Sequence, residues 1–289
     1  MKSRAHFRLK LHSRSLVLGD RTLVMGVVNV TPDSFSDGGS FIDAGAAVSH
    51  ALELEKSGAD IIDIGGESTR PGAATISADE EISRILPVLL SLRDRIRIPI
   101  SIDTRKAVVA EAAIAAGAEI VNDVSALQFD PALGEVIHCH KVPIILMHMR
   151  GSPASMQKGP FARDVFADVT GGLRAAVKRA RKAGIANSQI ILDPGIGFGK
   201  NYRQNFQLLA HLEKIAALGF PLLVGTSRKA FLGATLRSAD SPAPPGDRIW
   251  GTAATVTATI LAGAHIVRVH DVAEMAQVVR VADAIAAEL

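Results

Sequence analysis

The chain has 289 residues, of which 48% are hydrophobic and 21% charged, and its formal net charge is +3. This composition is typical of a globular protein with a large core, and the slight positive charge suits a small anionic substrate but not a nucleic acid, since no dense basic cluster is present. Cys139 is the only cysteine, which excludes an internal disulfide and fits a reducing compartment.

The first 22 residues are predicted to form an arm that precedes the main domain. Residues 1–14 are basic but lack the apolar stretch of a secretory signal, so we expect a cytoplasmic protein. Residues 6–18 alternate apolar and polar side chains and are followed by Gly19 and Asp20, which predicts a β-hairpin. Residues 23–289 then form a single predicted domain.

Strands and helices alternate along this domain. Continuous apolar stretches predict eight strands, at residues 23–30, 60–64, 98–102, 119–121, 142–147, 189–192, 221–225 and 265–269. Helical patterns follow them at residues 41–57, 78–93, 106–116, 131–140, 165–183, 204–217, 227–236 with 248–262, and 272–287. The most apolar run, residues 253–269, is too short and too polar to span a membrane.

Eight strand–helix pairs predict an α/β fold, a TIM (β/α)8 barrel with a short N-terminal β-hairpin arm. Continuous rather than alternating apolar strands are what a parallel sheet covered by helices requires. An open doubly wound sheet is the competing fold, and it is disfavoured because no Gly-x-Gly-x-x-Gly motif follows the first strand.

Polar residues follow all eight predicted strands, at the end of a barrel where active sites lie. They are Asn29, Glu67, Thr69, Arg70, Asp103, Asn122, Asp123, His148, Asp193, Ser227, Arg228, Lys229, Arg268 and His270. Any one of them could be a helix cap, but caps do not account for the whole set.

The chemistry of this set falls into two groups. Three residues offer acceptor oxygens that suit a planar ligand with several N–H groups: Asp103, Asn122 and Asp193. Three others are cationic donors that suit an anionic group, best a phosphate: Arg70, Arg268 and His270. Asn29 supplies a hard oxygen for a Mg²⁺ held mainly by substrate phosphates. Ser227 is expected at a helix N-terminus, where a carboxylate or phosphate can bind.

Seven motifs occur in a distinctive order. They are Asn-Val-Thr-Pro-Asp-Ser-Phe-Ser-Asp-Gly-Gly at 29–39, Gly-Gly-Glu-Ser-Thr-Arg-Pro-Gly at 65–72, Ser-Ile-Asp-Thr at 101–104, Asn-Asp at 122–123, Asp-Pro-Gly-Ile-Gly-Phe-Gly-Lys at 193–200, Ser-Arg-Lys at 227–229 and Arg-Val-His at 268–270. From about Leu23 to the C-terminus, the chain resembles the dihydropteroate synthases.

The resemblance implies a transferase of folate biosynthesis. Such an enzyme joins 6-hydroxymethyl-7,8-dihydropterin diphosphate to p-aminobenzoate and releases 7,8-dihydropteroate and diphosphate. It implies Mg²⁺, dissociative loss of diphosphate without a covalent nucleophile, and two mobile loops, for which Gly38-Gly39 and Gly65-Gly66 are candidate hinges. It further implies a homodimer and competition by sulfonamides.

The resemblance also assigns residues to ligands. The pterin is assigned to Asp103, Asn122, Asp193 and Lys229, and the metal to Asn29. The diphosphate is assigned to Thr69, Arg70, Arg268 and His270. The p-aminobenzoate is assigned to Phe35, Thr69, Pro71 and Ser227, with Arg70 in the same loop.

Two other functions fit a pterin-binding barrel. A methyltransferase that passes a methyl group from a folate to a corrinoid would share the pterin acceptors but needs no grip on diphosphate. A non-catalytic pterin-binding protein would not need every motif. The motifs Arg268-Val-His270 and Thr69-Arg70-Pro71 favour the synthase.

Four further features have simpler interpretations. Lys229 follows Ser-Arg at the start of a helix and not the middle of a strand, which disfavours a Schiff-base lysine. His138-Cys139-His140 lies near a helix C-terminus and is not expected to bind metal. Asp63 is expected to point into the barrel as a paired carboxylate that supports Asn29, and Trp250 is expected to pack against the fold.

Overall fold

The computed structural model describes residues 4–31, 44–68, 74–152, 155–156, 159–237 and 241–289. Within them lies a two-stranded antiparallel hairpin, β1 (Phe7–Lys10) and β2 (Ser15–Leu18), followed by an eight-stranded parallel sheet. The strands of that sheet are β3 (Leu23–Asn29), β4 (Ile61–Gly65), β5 (Ile100–Asp103), β6 (Ile120–Asp123), β7 (Ile144–Met147), β8 (Ile190–Asp193), β9 (Leu223–Val224) and β10 (Ile266–Val269).

The sheet closes into a barrel. Its strand order is β8-β7-β6-β5-β4-β3-β10-β9, and a parallel bridge between Leu192 and Leu222 joins the two edges. The backbone N–H of Leu192 donates to Pro221 O at 2.9 Å across the same seam. The predicted TIM barrel with its hairpin is therefore confirmed.

Helices cover the outside of the barrel. They are α1 (Ala44–Lys56), α2 (Ala78–Leu92), α3 (Ala107–Ala115), α4 (Leu133–His140), α5 (Val165–Lys182), α6 (Tyr202–Ala210), α7 (Glu213–Ala216), α8 (Ala230–Thr235), α9 (Ile249–Leu261) and α10 (Val272–Ala287). The single helix predicted over residues 204–217 is wrong, because the chain leaves helical geometry at His211 and divides into α6 and α7. No Gly or Pro marks this break in the sequence.

Two apolar clusters hold the fold together. The larger one fills the space between the strands and the helices, and includes Ile62, Ile64, Ile100 and Ile102. The smaller one lies inside the barrel and takes alternate residues of the strands, such as Met25, because successive side chains of a strand point to opposite faces. This alternation decides which strand-end residues can face a ligand.

The N-terminal hairpin plugs the barrel at the end opposite the active-site face. Leu9, Leu11 and Leu18 are buried in the same cluster as the inward side chains Leu23 and Met25. The arm therefore shares a core with the barrel, and the predicted boundary at residue 22 divides the sequence but not this hydrophobic core.

Trp250 is not the packing residue that its position suggested, since its side chain is 79% exposed. It lies in the first turn of α9, whose buried residues include Thr252 and Val256 on another face of the helix. Among the described residues, no helix combines the length and apolar character needed to cross a membrane.

Candidate active site

A cavity opens at the carboxyl end of the barrel strands. Strand alternation turns Asp103, Asn122, Met147, Asp193 and Arg268 inward, because each stands two residues after an inward residue of the same strand. The lining is completed by Val124, Ile196, Phe198, Gly225, Ser227, Lys229 and His270. All four predicted pterin residues, and the described residues predicted for diphosphate, thus meet in one cavity.

Arg268 is the central cation of this cavity. Its Nε donates to Asp63 Oδ2 at 2.6 Å and its Nη2 to Asp103 Oδ2 at 2.9 Å. Asn122 Nδ2 donates to the same Oδ2 of Asp63 at 3.0 Å. Asp63 is therefore the paired interior carboxylate that we expected, and it holds Arg268 and Asn122 in place.

Burial governs the charge of the two cavity aspartates. Burial raises the pKa of Asp103 to about 7. The Arg268 guanidinium opposes this rise, and nearby carboxylates such as Asp63 add to it. Burial also raises the pKa of Asp193, against the backbone N–H of Gly195 and the positive charge of Lys229, both of which favour the ionised form. Asp103 therefore titrates near neutrality, and its charge depends on Arg268.

The loop after β8 forms one wall of the cavity. Gly195 adopts a left-handed φ of 65°, and its N–H donates to Asp193 Oδ1 at 2.7 Å, which orients the carboxylate. Lys229 Nζ donates to Ile196 O at 2.9 Å and lies 4.0 Å from the centre of the Phe198 ring. Burial lowers the pKa of Lys229 to about 8.

Ser227 and His270 form a pair at the ends of the next two strands around the barrel, β9 and β10. The backbone N–H of His270 donates to Ser227 Oγ at 3.2 Å, and His270 Nδ1 lies 2.9 Å from that hydroxyl. Burial and the charge of Arg268 lower the pKa of His270 to about 3, which favours a neutral imidazole that donates through one N–H. Ser227 does not begin a helix either, because α8 starts at Ala230 with Lys229 as its N-cap.

The chain is similar to known proteins over most of its length. Residues 25–270 match the family of pterin binding enzymes. The dihydropteroate synthase of Synechocystis sp. is 51% identical over 267 residues, which make up 92% of this chain and 91% of the relative. The chain belongs to the dihydropteroate synthase family. It is therefore an enzyme, a transferase, as the ordered motifs predicted.

Solved dihydropteroate synthases share its architecture. The Yersinia pestis enzyme in complex with a sulfonamide drug has a TM-score of 0.90 and 41% identity, covering 98% of this chain and 100% of that one. The Xanthomonas albilineans enzyme with 4-aminobenzoic acid has a TM-score of 0.89 and 43% identity, covering 97% and 98%. Both of these structures are dihydropteroate synthases, which favours the synthase over the methyltransferase.

Several residues at the site of this dihydropteroate synthase family member were not predicted from the sequence. Met147, Val124 and Phe198 line the cavity but, as apolar residues near strand ends, look like core. The alternation of inward residues could have found Met147, which follows the inward Ile145 by two positions. Lys200 ends the motif at residues 193–200 and is 2% exposed, but the sequence alone predicts no function for it.

Asp123 and Glu67 are among the strand-end residues that do not line the cavity. Asp123 follows Asn122 directly, so it faces outward, where its Oδ1 accepts from the backbone N–H and the hydroxyl of Ser125, both at 2.7 Å. Glu67 binds Lys106 at 3.2 Å and Arg105 at 3.1 Å beside the cavity. Both residues stabilise loops and do not line the pocket.

Asn29 is the predicted metal ligand. Asn29 ends β3 beside Gly65 of β4, and its amide oxygen suits Mg²⁺. Within the described ranges, no group of three or more His, Cys, Asp or Glu side chains could hold a metal ion. His138 and His140 contact Gly184 O and Glu111 Oε1, each at 2.9 Å.

Four predicted site residues lie outside the described residues, together with two hinge glycines. The site residues are Phe35, Thr69, Arg70 and Pro71, and the glycines are Gly38 and Gly39. Their assignments to p-aminobenzoate, to diphosphate and to loop movement stay predictions.

Proposed function

We propose that this chain condenses 6-hydroxymethyl-7,8-dihydropterin diphosphate with p-aminobenzoate to give 7,8-dihydropteroate and diphosphate. The observation that carries the proposal is the convergence of Asp103, Asn122 and Asp193 with the cations Arg268 and Lys229 in one cavity. Acceptors that face donors in a buried pocket suit a flat heterocycle with N–H groups on one edge and a charged substituent on the other.

Asp193 is the proposed anchor of the pterin. The 2-amino group and the neighbouring ring N–H present two donors to one carboxylate, and the Gly195 N–H already orients that carboxylate. The Nδ2 of Asn122 donates to Asp63. The side-chain carbonyl oxygen of Asn122 therefore remains as the acceptor toward the cavity. Phe198 and Met147 supply apolar surface for the faces of the ring.

Arg268 and His270 are the proposed stabilisers of the leaving group. The bond between the pterin methylene carbon and the diphosphate oxygen breaks, and its electron pair leaves with the diphosphate. A positive charge develops on the carbon, where the electron-rich pterin spreads it. The amine lone pair of p-aminobenzoate then forms the C–N bond, and its nitrogen loses a proton to solvent, so the chain needs no nucleophile.

Mg²⁺ would neutralise part of the diphosphate charge, with Asn29 as its protein ligand. A single amide is compatible with a metal held mainly by substrate oxygens. Thr69 and Arg70 are proposed to contact the diphosphate, and Phe35, Pro71 and Ser227 the p-aminobenzoate. The relative solved with 4-aminobenzoic acid and the one solved with a sulfonamide drug support that second site and competition between the two ligands.

A homodimer is proposed as the working form in the cytoplasm. Apolar side chains stand exposed on α9 and α10, among them Trp250 and, on α10, Val281 and Ile285. Light scattering after size exclusion should give about twice the 30.4 kDa chain mass. A mass equal to one chain would contradict this proposal without affecting the reaction.

A coupled assay tests the reaction itself. With Mg²⁺ and both substrates, the purified protein should release diphosphate and form dihydropteroate in equal amounts. Without p-aminobenzoate, dihydropteroate formation should stop. Absence of diphosphate release, combined with methyl transfer from a methylated folate to a corrinoid, would instead establish the methyltransferase.

A further inference from the structure

Lys200 is the bulkiest fully buried side chain among the described residues. It lies beside the proposed pterin-binding cavity but does not line it. Its Nζ donates to three acceptors: Phe198 O at 2.9 Å, His148 Nδ1 at 3.0 Å and His148 O at 3.2 Å. An ammonium group has three donors, so its hydrogen-bonding capacity is filled. A buried charge is expensive, which makes a purely space-filling role for this lysine unsuitable.

The three acceptors join two segments of the active-site end. Phe198 O belongs to the glycine loop after β8, and His148 follows β7. The two backbones are pressed together, since a Cβ on Gly195 would lie 1.9 Å from His148 O and one on Gly199 would lie 2.2 Å from Arg150 O. The backbone N–H of His148 also donates to Asp193 O at 2.9 Å.

A polar chain continues from Lys200 toward the surface. Because Lys200 donates to Nδ1 of His148, the neutral imidazole carries its hydrogen on Nε2, which lies 3.5 Å from Asp168 Oδ2. Asp168 in turn accepts from Arg150 Nη1 at 2.7 Å. Burial lowers the pKa of Lys200 to about 7, while Asp193 and Asp168 raise it.

Two lysines therefore hold the same loop from different sides. Lys229 donates to Ile196 O at 2.9 Å within the cavity, and Lys200 donates to Phe198 O from behind the lining. Phe198 lines the cavity, and the carboxylate of Asp193 begins the loop. A shift of Phe198 would change the surface on which the heterocycle rests.

We propose that Lys200, through Phe198 O and His148, is a positioning residue that holds the glycine loop in the shape that receives the pterin. The inference rests on the proposed function, because it assumes that the cavity binds a pterin. Lys200 lies behind the lining and touches neither substrate. Its effect should therefore fall on pterin binding and not on p-aminobenzoate.

Lys200→Met tests this inference, with Arg84→Met as a matched control. Arg84 is also largely buried and donates to a loop carbonyl, Gly66 O at 2.9 Å, but in the loop after β4. We expect Lys200→Met to raise both the KM for pterin diphosphate and the Kd for plain 6-hydroxymethylpterin by about tenfold or more. The reason is that the loop loses the charged hydrogen bond to Phe198 O that holds it in its binding shape. In Lys200→Met, the KM for p-aminobenzoate should change by less than about twofold. In the control Arg84→Met, the Kd for the plain pterin should also change by less than about twofold.

Asp168→Asn provides a second variant that leaves the buried lysine in place. Weakening the far end of the polar chain should raise the Kd for plain pterin about two- to fourfold without lowering the melting temperature by more than a degree or two. Unchanged pterin binding in both variants, or an equal loss in Arg84→Met, would overturn the inference. If the wild-type chain bound no pterin, the proposed function itself would fail.

Discussion

Arg268 Nη2 lies 2.9 Å from Asp103 Oδ2, so a proposed diphosphate-binding cation already contacts a proposed pterin-binding carboxylate. The same guanidinium binds Asp63 on β4, one of the two strands that lie between β5 and β10 in the sheet. The division of the site into acceptors and cations, which the sequence suggested, is therefore not a spatial one. Arg268 therefore connects the residues proposed to bind the pterin with those proposed to bind the diphosphate.

The contact between Arg268 and Asp103 predicts a pH-dependent variant. In Arg268→Gln, Asp103 loses the positive charge that lowers its pKa, so the pKa should rise above about 7 and the carboxyl should be protonated at neutral pH. Plain pterin should then bind about tenfold more weakly than to wild type at pH 7, and nearly as well at pH 9. Pterin diphosphate should stay weaker at both pH values, because its phosphate donor is gone.

Isothermal titration calorimetry at both pH values measures the ratio of variant to wild-type Kd, in which titration of the ligand cancels. A plain-pterin ratio that did not change between pH 7 and pH 9 would contradict the proposed control of Asp103 by Arg268.

The assignment of Mg²⁺ to Asn29 predicts a variant that separates metal use from pterin binding. Asn29→Ala should raise the Mg²⁺ concentration for half-maximal activity severalfold, because a hard oxygen ligand is lost. Its Kd for plain pterin, measured without metal, should equal that of wild type. If the Mg²⁺ requirement were unchanged, Asn29 would not be the metal ligand.

Burial of the N-terminal hairpin predicts that the arm contributes strongly to stability. Leu9 is 1% exposed against the barrel interior, while Val17 on the neighbouring strand is 43% exposed. Leu9→Ala should lower the free energy of unfolding by roughly 2–5 kcal/mol, and Val17→Ala by less than about 0.5 kcal/mol. Urea unfolding followed by circular dichroism gives both values, and equal effects would refute a hairpin plug.

His265 predicts acid sensitivity at the same end of the barrel. Its Nδ1 accepts from Leu222 N at 3.1 Å and its Nε2 lies 2.9 Å from Ala5 O, while burial lowers its pKa to about 4. The unfolded chain takes up a proton near pH 6.5, so the contribution of His265 is complete above that pH and is lost as pH falls toward 4. At pH 5 this loss is roughly 2 kcal/mol.

The comparison of pH 7 with pH 5 should therefore give a smaller difference in unfolding free energy for His265→Gln than for wild type. The exposed His211 provides the control, and His211→Gln should keep the full difference. An unchanged pH dependence in His265→Gln would contradict this role.

A buried ion pair beside the active site predicts a rescue experiment. Lys106 Nζ binds Glu81 Oε2 at 2.6 Å, and Glu81 is fully buried. Lys106→Met should cost about 3–5 kcal/mol, because it leaves an unpaired buried carboxylate. The double variant Lys106→Met with Glu81→Leu should recover most of that loss in urea unfolding. If the double variant were no more stable than the single one, the buried charge would not be the cause.

The sequence was sufficient to predict the barrel and most of the cavity. Continuous apolar strands and the Gly that ends each of several helices specify repeated strand–helix units, and parallel strand ends must meet at one face. Asp103, Asn122 and Asp193 could therefore be brought together without a structure. Asp63 could be placed inside the barrel by the same reasoning.

Other features depend on tertiary contacts that the chain does not display locally. The partner of Asp63 is Arg268, which lies 205 residues away in sequence, and the role of Lys200 depends on His148, 52 residues earlier. Trp250 was misplaced because a large apolar side chain on a helix usually packs, whereas α9 buries another face. Neutral His270 could not be recognised because its pKa reflects burial and the neighbouring charge of Arg268.

A crystal structure with plain 6-hydroxymethylpterin tests the central claim most directly. We expect the ring beside Asp103, Asn122 and Asp193, with its 2-amino group and adjacent N–H on the Asp193 carboxylate and one face against Phe198. A ring bound elsewhere in the barrel, or bound here with no donor directed at Asp193, would contradict the account.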